Sequence, residues 1–397
     1  MSSFSRRLRK SSPDINLFFV IIVLVIFGII FLSSASSVIS FNEYNDSRYM
    51  FLKQVVGIII GFIAMWIFYK IDVQSWKKVA FPMLVVSIIT LIAVFIPGLG
   101  VEHGGAKRWI DIGPIQIQPS EFLKFSIIIY LATLFEKKGH EVQDMYGGFI
   151  PFLVLLGVMG LLIMAQPDMG TLIVIVMISV VMYFVSGAKM SHLGVMTAGG
   201  IAAFIILIKL SPYRVQRFMV FLDPGKYADQ SAGYQINQAL IAIGSGGIIG
   251  RGFGQSLQKY RYLPEAATDS IFAIIAEERG LLGAAFICVL FAAFGYFGFK
   301  IARGAGDVYT RLIAVGITSW IVFQATLNIC ATLSLVPLTG VTLPFISFGG
   351  TSVVMAIASC GILLNISRNT KERTNDEGYR SGRRVRRAHN AGLGSSQ

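Results

Sequence analysis

Four carboxylates lie close together in the sequence, around the start of a long apolar run. They are Glu265, Asp269, Glu277 and Glu278, in the stretch 262–278. Ionisable side chains at the edge of a bilayer are costly and usually serve a function. Paired acids act as base and orienter, as ligands of a divalent ion, or as structural partners of basic residues. The sequence therefore makes this stretch the first candidate for a reaction site.

Helical spacing divides these acids into two groups. If a helix begins at Asp269, Glu277 lies about 80° around its axis and Glu278 lies nearly opposite. We therefore predict that Asp269 and Glu277 share one flank, while Glu278 faces another helix. A structural interpretation has similar weight, because Thr268 is a typical helix cap and an aspartate stabilises a helix N-terminus.

Basic residues suited to a phosphate-bearing substrate occur in two segments between apolar runs. Arg108 precedes Trp109 in a glycine-rich segment, and Arg214 and Arg217 lie one helical turn apart. Guanidinium groups bind phosphate through paired hydrogen bonds. The alternative is an ordinary interfacial site, with an aromatic residue beside snorkelling basic side chains.

Two further motifs flank apolar runs. Glu121 and Lys124 are three residues apart, so they share a helix face and are suited to an ion pair. Lys124 lies inside an apolar run and must face the helix bundle or a wet cavity. Asp168 lies in a tight turn, where we predict a helix cap.

A framework of membrane helices must position these residues. The chain of 397 residues is 54% hydrophobic and 14% charged, whereas soluble domains carry about 25% charged residues. Its mean hydropathy is +0.69. We predict an all-α polytopic membrane protein with ten transmembrane helices. The apolar runs fall near 16–38, 53–70, 78–97, 121–136, 148–166, 170–187, 191–209, 270–302, 309–330 and 350–366. The eighth run is overlong, which indicates a tilted or broken helix or a short re-entrant piece.

The distribution of lysine and arginine predicts the orientation. With a cytoplasmic N-terminus, the inner segments hold most of the basic residues, as the positive-inside rule requires. We therefore expect a basic cytoplasmic tail at 1–14, a ten-helix domain at 15–368 and a disordered basic cytoplasmic tail at 369–397. The loop 210–268, between helices 7 and 8, is long enough to be functional and faces outward, together with Asp269.

Other chemistry is not indicated. The three cysteines lie in apolar surroundings without CxxC spacing, and the four histidines are scattered, so neither disulfides nor a zinc site is expected. The first apolar run is too long for a cleavable signal peptide. The net charge of +13 lies largely in inner loops and tails, so we expect no nucleic-acid partner.

The ordered motifs resemble the SEDS family of bacterial cell-wall proteins, the FtsW/RodA group. They are 105–110 (GAKRWI), 118–121 (QPSE), 166–168 (QPD), 242–247 (AIGSGG), 263–269 (LPEAATD), 277–278 (EE) and 344–352 (PFISFGGTS). The resemblance covers about residues 14–368 and is closer to the division branch than to the elongation branch. Ala267 departs from the pattern, since the family usually has histidine there.

This resemblance implies a peptidoglycan glycosyltransferase that polymerises lipid II into β-1,4 glycan strands outside the cytoplasmic (inner) membrane, at the division septum. Asp269 is then the general base on the acceptor hydroxyl. Positive charge for the leaving diphosphate comes from Arg108, Lys124, Arg214 and Arg217, and Mg²⁺ or Mn²⁺ is a further candidate, with Asp269 as a possible ligand. The remaining candidates for substrate binding are Glu121, Glu265, Thr268, Glu277, Glu278 and Ser347.

The resemblance also implies partners. The family works with an FtsI-like class B penicillin-binding transpeptidase and with other membrane proteins of the divisome. Three alternatives stay open: a lipid II flippase, an elongation-type polymerase of the RodA kind, and a non-catalytic scaffold for the transpeptidase. Motifs clustered on one face favour the enzyme over the flippase.

Overall fold

Helices dominate the structure, a computed structural model that describes residues 12–103, 106–113, 115–228 and 231–368. Most of the predicted N-terminal tail and all of the tail at 369–397 lie outside these residues. The helices are α1 (Ile15–Tyr44), α2 (Tyr49–Lys70), α3 (Trp76–Ala93), α4 (Pro119–Lys138), α5 (Ile150–Ala165), α6 (Met169–Val185), α7 (Met190–Lys209), α8 (Pro212–Leu222), α9 (Ser231–Gly246), α10 (Ile271–Gly304), α11 (Val308–Thr332) and α12 (Gly350–Arg368).

Eight helices in the described residues are long and apolar enough to cross a membrane. They belong to α1, α2, α3, α5, α7, α10, α11 and α12. The apolar helix α6 is shorter, and α4 carries Glu121 and Lys124 among its buried residues. The prediction of a helical polytopic membrane protein is confirmed.

The bundle is organised around α11 and α12. In their most apolar stretches 72% and 78% of the residues are buried, against 6% for α7. Glycines let α2 approach α12 closely: a Cβ on Gly361 would lie 2.2 Å from the carbonyl oxygen of Met65, and one on Gly61 would lie 3.1 Å from Ile357. Small residues serve helix contacts in membranes because they let backbones approach. The central helices can therefore hold residues at fixed depth, whereas α7 lies at the periphery.

A small antiparallel sheet lies between α3 and α4, where we had predicted only a glycine-rich loop in an all-α protein. Its strands are β1 (Gly100–His103), β2 (Ala106–Ile112) and β3 (Ile115–Ile117), in the order β1-β2-β3. Isoleucine at alternate positions favours strands, and Gly113 has the positive φ of 64° that the tight turn between β2 and β3 needs. The sheet gives Arg108 a fixed position on β2.

The long helix α10 is broken at Gly280, as its excessive length suggested. Gly280 has φ 64° and ψ −161°, a conformation that is essentially restricted to glycine. The backbone N–H groups of Leu281 and Leu282 donate to Gly247 and Ile248, while those of Arg251 and Gly252 donate to Glu277 and Glu278. The turn after α9 thus satisfies backbone groups on both sides of the break. The part 281–304 rises about 36 Å, enough by itself to cross the roughly 30 Å hydrocarbon core.

Replacing Gly280 tests whether the break in α10 requires glycine. A Cβ there would lie 2.4 Å from the carbonyl oxygen of Ile248 and 2.5 Å from the amide nitrogen of Gly250. We expect Gly280→Ala to lower the free energy of unfolding by at least about 1–3 kcal/mol, the cost of the strained backbone. Thermal unfolding in detergent micelles measures it. Gly199→Ala is the control, because nothing lies within 4 Å of its Cβ position. Equal melting temperatures for the two variants would contradict the prediction.

Candidate functional site

Asp269 lies just before α10 rather than on it. The helix begins at Ile271 with Ser270 as its N-cap, and the backbone N–H groups of Thr268 and Ser270 both donate to the carbonyl oxygen of Glu265. Glu265 adopts a left-handed conformation with φ 53°, unusual for a side chain other than glycine. The predicted common flank of Asp269 and Glu277 on one continuous helix is therefore wrong, because Asp269 belongs to a turn.

The surroundings of the Asp269 carboxylate favour its protonated form more than water does. The hydroxyl of Thr268 lies 2.5 Å from Glu265 Oε2 and 3.3 Å from Asp269 Oδ1. Burial, and then the negative charge of Glu265, raise the pKa of Asp269 to about 7, although Arg217 and the Thr268 hydroxyl act in the opposite direction. A carboxylate with such a pKa exchanges protons near neutral pH, as a general base requires.

A cavity of about 240 Å³ brings three of the predicted basic residues together. Arg108, Arg214 and Arg217 all line it, and the other lining residues are mainly apolar side chains of α6, α7, α8 and α11. Its volume is below the roughly 300–1,000 Å³ of pockets for drug-sized ligands, so it can hold only part of a large substrate. Three guanidinium groups in an apolar cavity are suited to a phosphate or diphosphate attached to a lipid.

Protein carbonyl groups orient these arginines. Arg108 Nε donates to Gln166 over 3.1 Å and its Nη2 to Pro167. Arg214 donates to Leu207 over 3.0 Å, and Arg217 donates to Leu338 over 2.9 Å.

The cavity and Asp269 are neighbours. Asp269 is not among the lining residues. Arg217 lines the cavity, and its positive charge acts to lower the pKa of Asp269. Residues 336–339, which follow α11, also line the cavity. A Cβ on the next residue, Gly340, would lie 3.8 Å from Asp269 Oδ2. The structure thus places a carboxylate with a raised pKa beside an arginine-lined cavity.

The ion pair predicted between Glu121 and Lys124 exists, but it is buried. The Lys124 ammonium lies 2.8 Å from Glu121 Oε2 and donates to Gln324 Oε1 over 2.7 Å. Lys124 is 1% exposed, lies 5.2 Å from the centre of the Trp320 ring and is not among the residues that line the cavity. The pair therefore supports the interior of the bundle rather than the cavity wall.

Glu277 and Glu278 belong to a second buried cluster. The Glu277 carboxylate accepts from the Ser256 hydroxyl and from the backbone N–H groups of Leu257 and Gln258. The Glu278 carboxylate accepts from the Ser34 hydroxyl over 2.5 Å and lies 3.7 Å from the Lys259 ammonium. Both glutamates are almost fully buried. They attach the segment before Asp269 to α10 and α1.

Ser347 and Ala267 hold the Asp269 turn against the segment before α12. The Ser347 hydroxyl donates to the Thr268 carbonyl and accepts from the Leu343 N–H, and the Phe348 N–H donates to the Ala267 carbonyl over 2.8 Å. Asp168 caps α6 by accepting from the Thr171 N–H over 3.1 Å, as predicted.

Glu265 and Asp269 are the residues that would hold a divalent cation. Their carboxylates both lie near the Thr268 hydroxyl, and Mg²⁺ is commonly bound through one or two carboxylates plus substrate phosphates. Within the described part of the chain, no group of three His, Cys, Asp or Glu side chains could hold a metal. Such an ion would depend on phosphate oxygens for further ligands.

Two amide side chains of α11 were not predicted from the sequence. Asn328 donates to the Asp269 carbonyl over 2.7 Å, and Gln324 lies one turn earlier on α11. Both are buried. The sequence does contain a signal for them, which is two amide side chains four residues apart inside an apolar run. Neither amide ionises, so the sequence pattern of charged residues does not include them.

This combination of fold and site defines a class of multi-pass membrane proteins with a buried carboxylate beside an arginine-lined cavity. The chain matches the model of the FtsW/RodA/SpoVE family, described as cell cycle proteins, over residues 14–372. It belongs to this family.

Individual relatives resemble nearly the whole chain. Stage V sporulation protein E of Bacillus subtilis is 39% identical over 363 residues, 91% of this chain and 99% of that protein. A protein of Geobacter sp. named "Probable peptidoglycan glycosyltransferase FtsW" is 34% identical over 359 residues, 90% of this chain and 98% of its own.

Solved structures share the fold. A chain of a peptidoglycan synthase complex, described as coordinating polymerization and crosslinking, superposes with a TM-score of 0.75 at 24% identity, covering 90% of this chain and 98% of that one. The rod shape determining protein RodA of Thermus thermophilus superposes with a TM-score of 0.66 at 24% identity, covering 90% and 97%.

The buried ion pair of Lys124 with Glu121 should contribute to the stability of the protein. Lys124→Met leaves the Glu121 carboxylate buried without its ammonium partner, and breaking a buried pair in this way costs about 3–5 kcal/mol. The matched control is Lys77→Met, which breaks the partly exposed pair of Lys77 with Glu136 at 2.6 Å and should cost about 0–1 kcal/mol. Unfolding in detergent micelles compares the two. If the losses are equal, the Lys124 pair is not the buried support described above.

Proposed function

We propose that this protein is a peptidoglycan glycosyltransferase that polymerises lipid II into β-1,4 glycan strands. The observation that carries the proposal is the position of Asp269, a carboxylate with a raised pKa, beside a cavity lined by Arg108, Arg214 and Arg217. A base next to clustered guanidinium groups suits the transfer of a sugar from a diphosphate. The names of the relatives that cover nearly the whole chain agree with this reaction.

The proposed reaction joins two lipid-linked sugars. Asp269 removes the proton from the acceptor hydroxyl as its oxygen attacks the anomeric carbon of the donor, and the bond between that carbon and the diphosphate oxygen breaks. The three arginines bind the leaving diphosphate as its negative charge develops. A divalent cation on Glu265 and Asp269 would supply further positive charge. Apolar residues of α7, among them Phe204 and Ile208, line the same cavity and suit the start of the lipid chain.

The other predicted site residues take supporting roles in this proposal. Glu265 and Thr268 tune and orient Asp269, and Ser347 holds the turn. Lys124 and Glu121 stabilise the bundle behind the site, and Glu277 and Glu278 anchor the segment that leads to it.

We further propose ten spans, in which α4 and α6 join the eight helices identified by length and hydropathy. Both termini are then cytoplasmic, and α8, α9 and Asp269 lie on the outer side between the seventh and eighth spans. Residues 15–368 form the membrane domain, with basic tails at 1–14 and 369–397. The positive-inside pattern supports this topology.

The proposed setting is the septum of a dividing cell, with an FtsI-like class B penicillin-binding transpeptidase and other divisome proteins as partners. The name of the structurally similar complex, which joins polymerization with crosslinking, supports a partner of this type. The names of the relatives support the division branch. A setting in sporulation is the second candidate, because stage V sporulation protein E is 39% identical to this chain.

Removing the base should stop polymerisation. We expect Asp269→Asn, which keeps the size of the side chain, to lower the rate on purified lipid II by at least about 100-fold, the usual contribution of a general base. Asp111→Asn, at an exposed aspartate of β2, is the control and should retain the wild-type rate. The length of the glycan products is read on gels, with and without the transpeptidase and divalent ions.

Two outcomes of this experiment would reject the proposal. Undiminished polymer from Asp269→Asn would remove the base and favour a scaffold. Movement of labelled lipid II across proteoliposome membranes, with no polymer formed by any variant, would favour a flippase.

The pH dependence of the reaction follows from the raised pKa of Asp269. The base must be deprotonated, so kcat/KM should fall on the acid side of an apparent pKa of about 7. Glu265→Gln removes a negative charge that raises this pKa, so the acid limb should move to lower pH. Glu141→Gln, at an exposed carboxylate in the turn after α4, should leave it unchanged. An acid limb unmoved by Glu265→Gln would contradict the assignment.

A further inference from the structure

We infer that Asn328 is the positioning residue of the reaction: its side-chain amide fixes the backbone of Asp269 against the segment that borders the arginine-lined cavity. This inference rests on the proposed function, because it explains how the base is held. Asn328 is a neutral residue of α11, and its neighbour Leu327 lines the cavity.

The amide group of Asn328 joins two segments that are far apart in the sequence. Its Nδ2 donates over 2.7 Å to the carbonyl oxygen of Asp269 and over 2.8 Å to that of Val341. Both N–H bonds of the amide are used, and the side chain is 2% exposed. Two neighbouring carbonyl oxygens require a donor between them, so the orientation of the amide is defined by its partners.

Gln324, one turn earlier on α11, extends this connection. Its Oε1 accepts from the Lys124 ammonium over 2.7 Å and from the Trp320 indole over 2.8 Å. Two donors at one atom identify that atom as the oxygen. Its Nε2 therefore faces the carbonyl oxygen of Thr342, at 2.9 Å. Thus α11 holds Val341 and Thr342 through two amides, and one of them also holds Asp269.

These contacts control where the base lies relative to the leaving group. Asp269 belongs to a turn with no helix of its own, whereas α11 is one of the most buried helices. The segment held at Val341 and Thr342 follows Leu338, whose carbonyl binds Arg217. Through these contacts, α11 sets the position of Asp269 directly, and it sets the position of the Arg217 guanidinium through the segment that follows Leu338. A displacement of about 1 Å in such an arrangement can cost about 100-fold in rate.

A purely structural role for Asn328 makes a different prediction. Loss of two hydrogen bonds inside the bundle would lower the amount of folded protein, and the activity of each folded molecule would stay the same. A positioning role instead lowers kcat for folded protein and leaves KM for lipid II nearly unchanged, because the arginines remain.

The test uses two variants of the full chain and one matched control. Asn328→Asp keeps the shape but presents an oxygen to the two carbonyls, and Asn328→Leu removes the donor without adding charge. Thr332→Val is the control: Thr332 lies one turn further along α11, is buried, and its hydroxyl donates over 2.8 Å to the Asn328 carbonyl oxygen of its own helix. The rates are measured with purified lipid II and divided by the concentration of folded monodisperse protein.

We expect both Asn328 variants to lose about tenfold or more in kcat, with KM within about twofold, and Thr332→Val to behave like the wild type. If Asn328→Asp fails to fold, Asn328→Leu carries the test. A wild-type kcat in a folded Asn328 variant, or an equal loss in Thr332→Val, would overturn the inference.

The inference and the proposed function fail in different ways. If Asp269→Asn remains active, the assignment of the base is wrong. If Asp269→Asn is inactive but the folded Asn328 variants are fully active, only the positioning role is wrong. In the background of Asp269→Asn, Asn328→Asp should cause no further loss, because the base it positions is already absent.

Discussion

The structure depends on the rule that backbone polar groups in a membrane bundle must find partners without water. The break at Gly280 frees carbonyl and N–H groups of α10, and the turn after α9 supplies their complements, from Gly247 to Gly252. The break is therefore a junction at which the segment between α9 and α10 is joined to a spanning helix. It orients the short part 271–279, and this part starts next to Asp269. The position of the proposed base, Asp269, thus follows from a backbone constraint before any side chain is considered.

Buried charges reinforce this junction and the centre of the bundle. Lys259 lies between the carbonyl oxygen of Gly254, at 2.5 Å, and the carboxylate of Glu278, while Lys124 pairs with Glu121. Burying ions is costly unless they are paired and hydrogen-bonded, and these are. These ion pairs fix the position of the segment around Lys259 relative to α10, and they stabilise the start of α4. The arginines of the cavity differ, because they donate to carbonyl oxygens, which carry no net charge.

The sequence was sufficient for most of the helices and for the three arginines of the cavity. Apolar length predicts spans directly, and the types and spacing of Arg108, Arg214 and Arg217 indicated phosphate chemistry. It was insufficient wherever tertiary contacts decide. The start of α10 at Ile271 moved Asp269 off the helix, which invalidated the angular argument about Glu277. The sheet between α3 and α4 was hidden by its glycines, and Asn328 carries no charge, so only its hydrogen bonds identify it.

Ala267 stands where the family resemblance led us to expect histidine, and this alanine is compatible with the proposed role of Asp269 as a base. Ala267 is 1% exposed and belongs to the hydrophobic core, so its side chain lies among apolar neighbours and away from solvent. The environment of Asp269 supplies the required adjustment instead: burial and the charge of Glu265 raise its pKa to about 7. A carboxylate with that pKa is a stronger base than one at its ordinary value. The proposed reaction then needs a base held in place more than it needs a second titratable group in the motif. The side chains of Asn328 and Ser347 hold the turn through its backbone carbonyl groups.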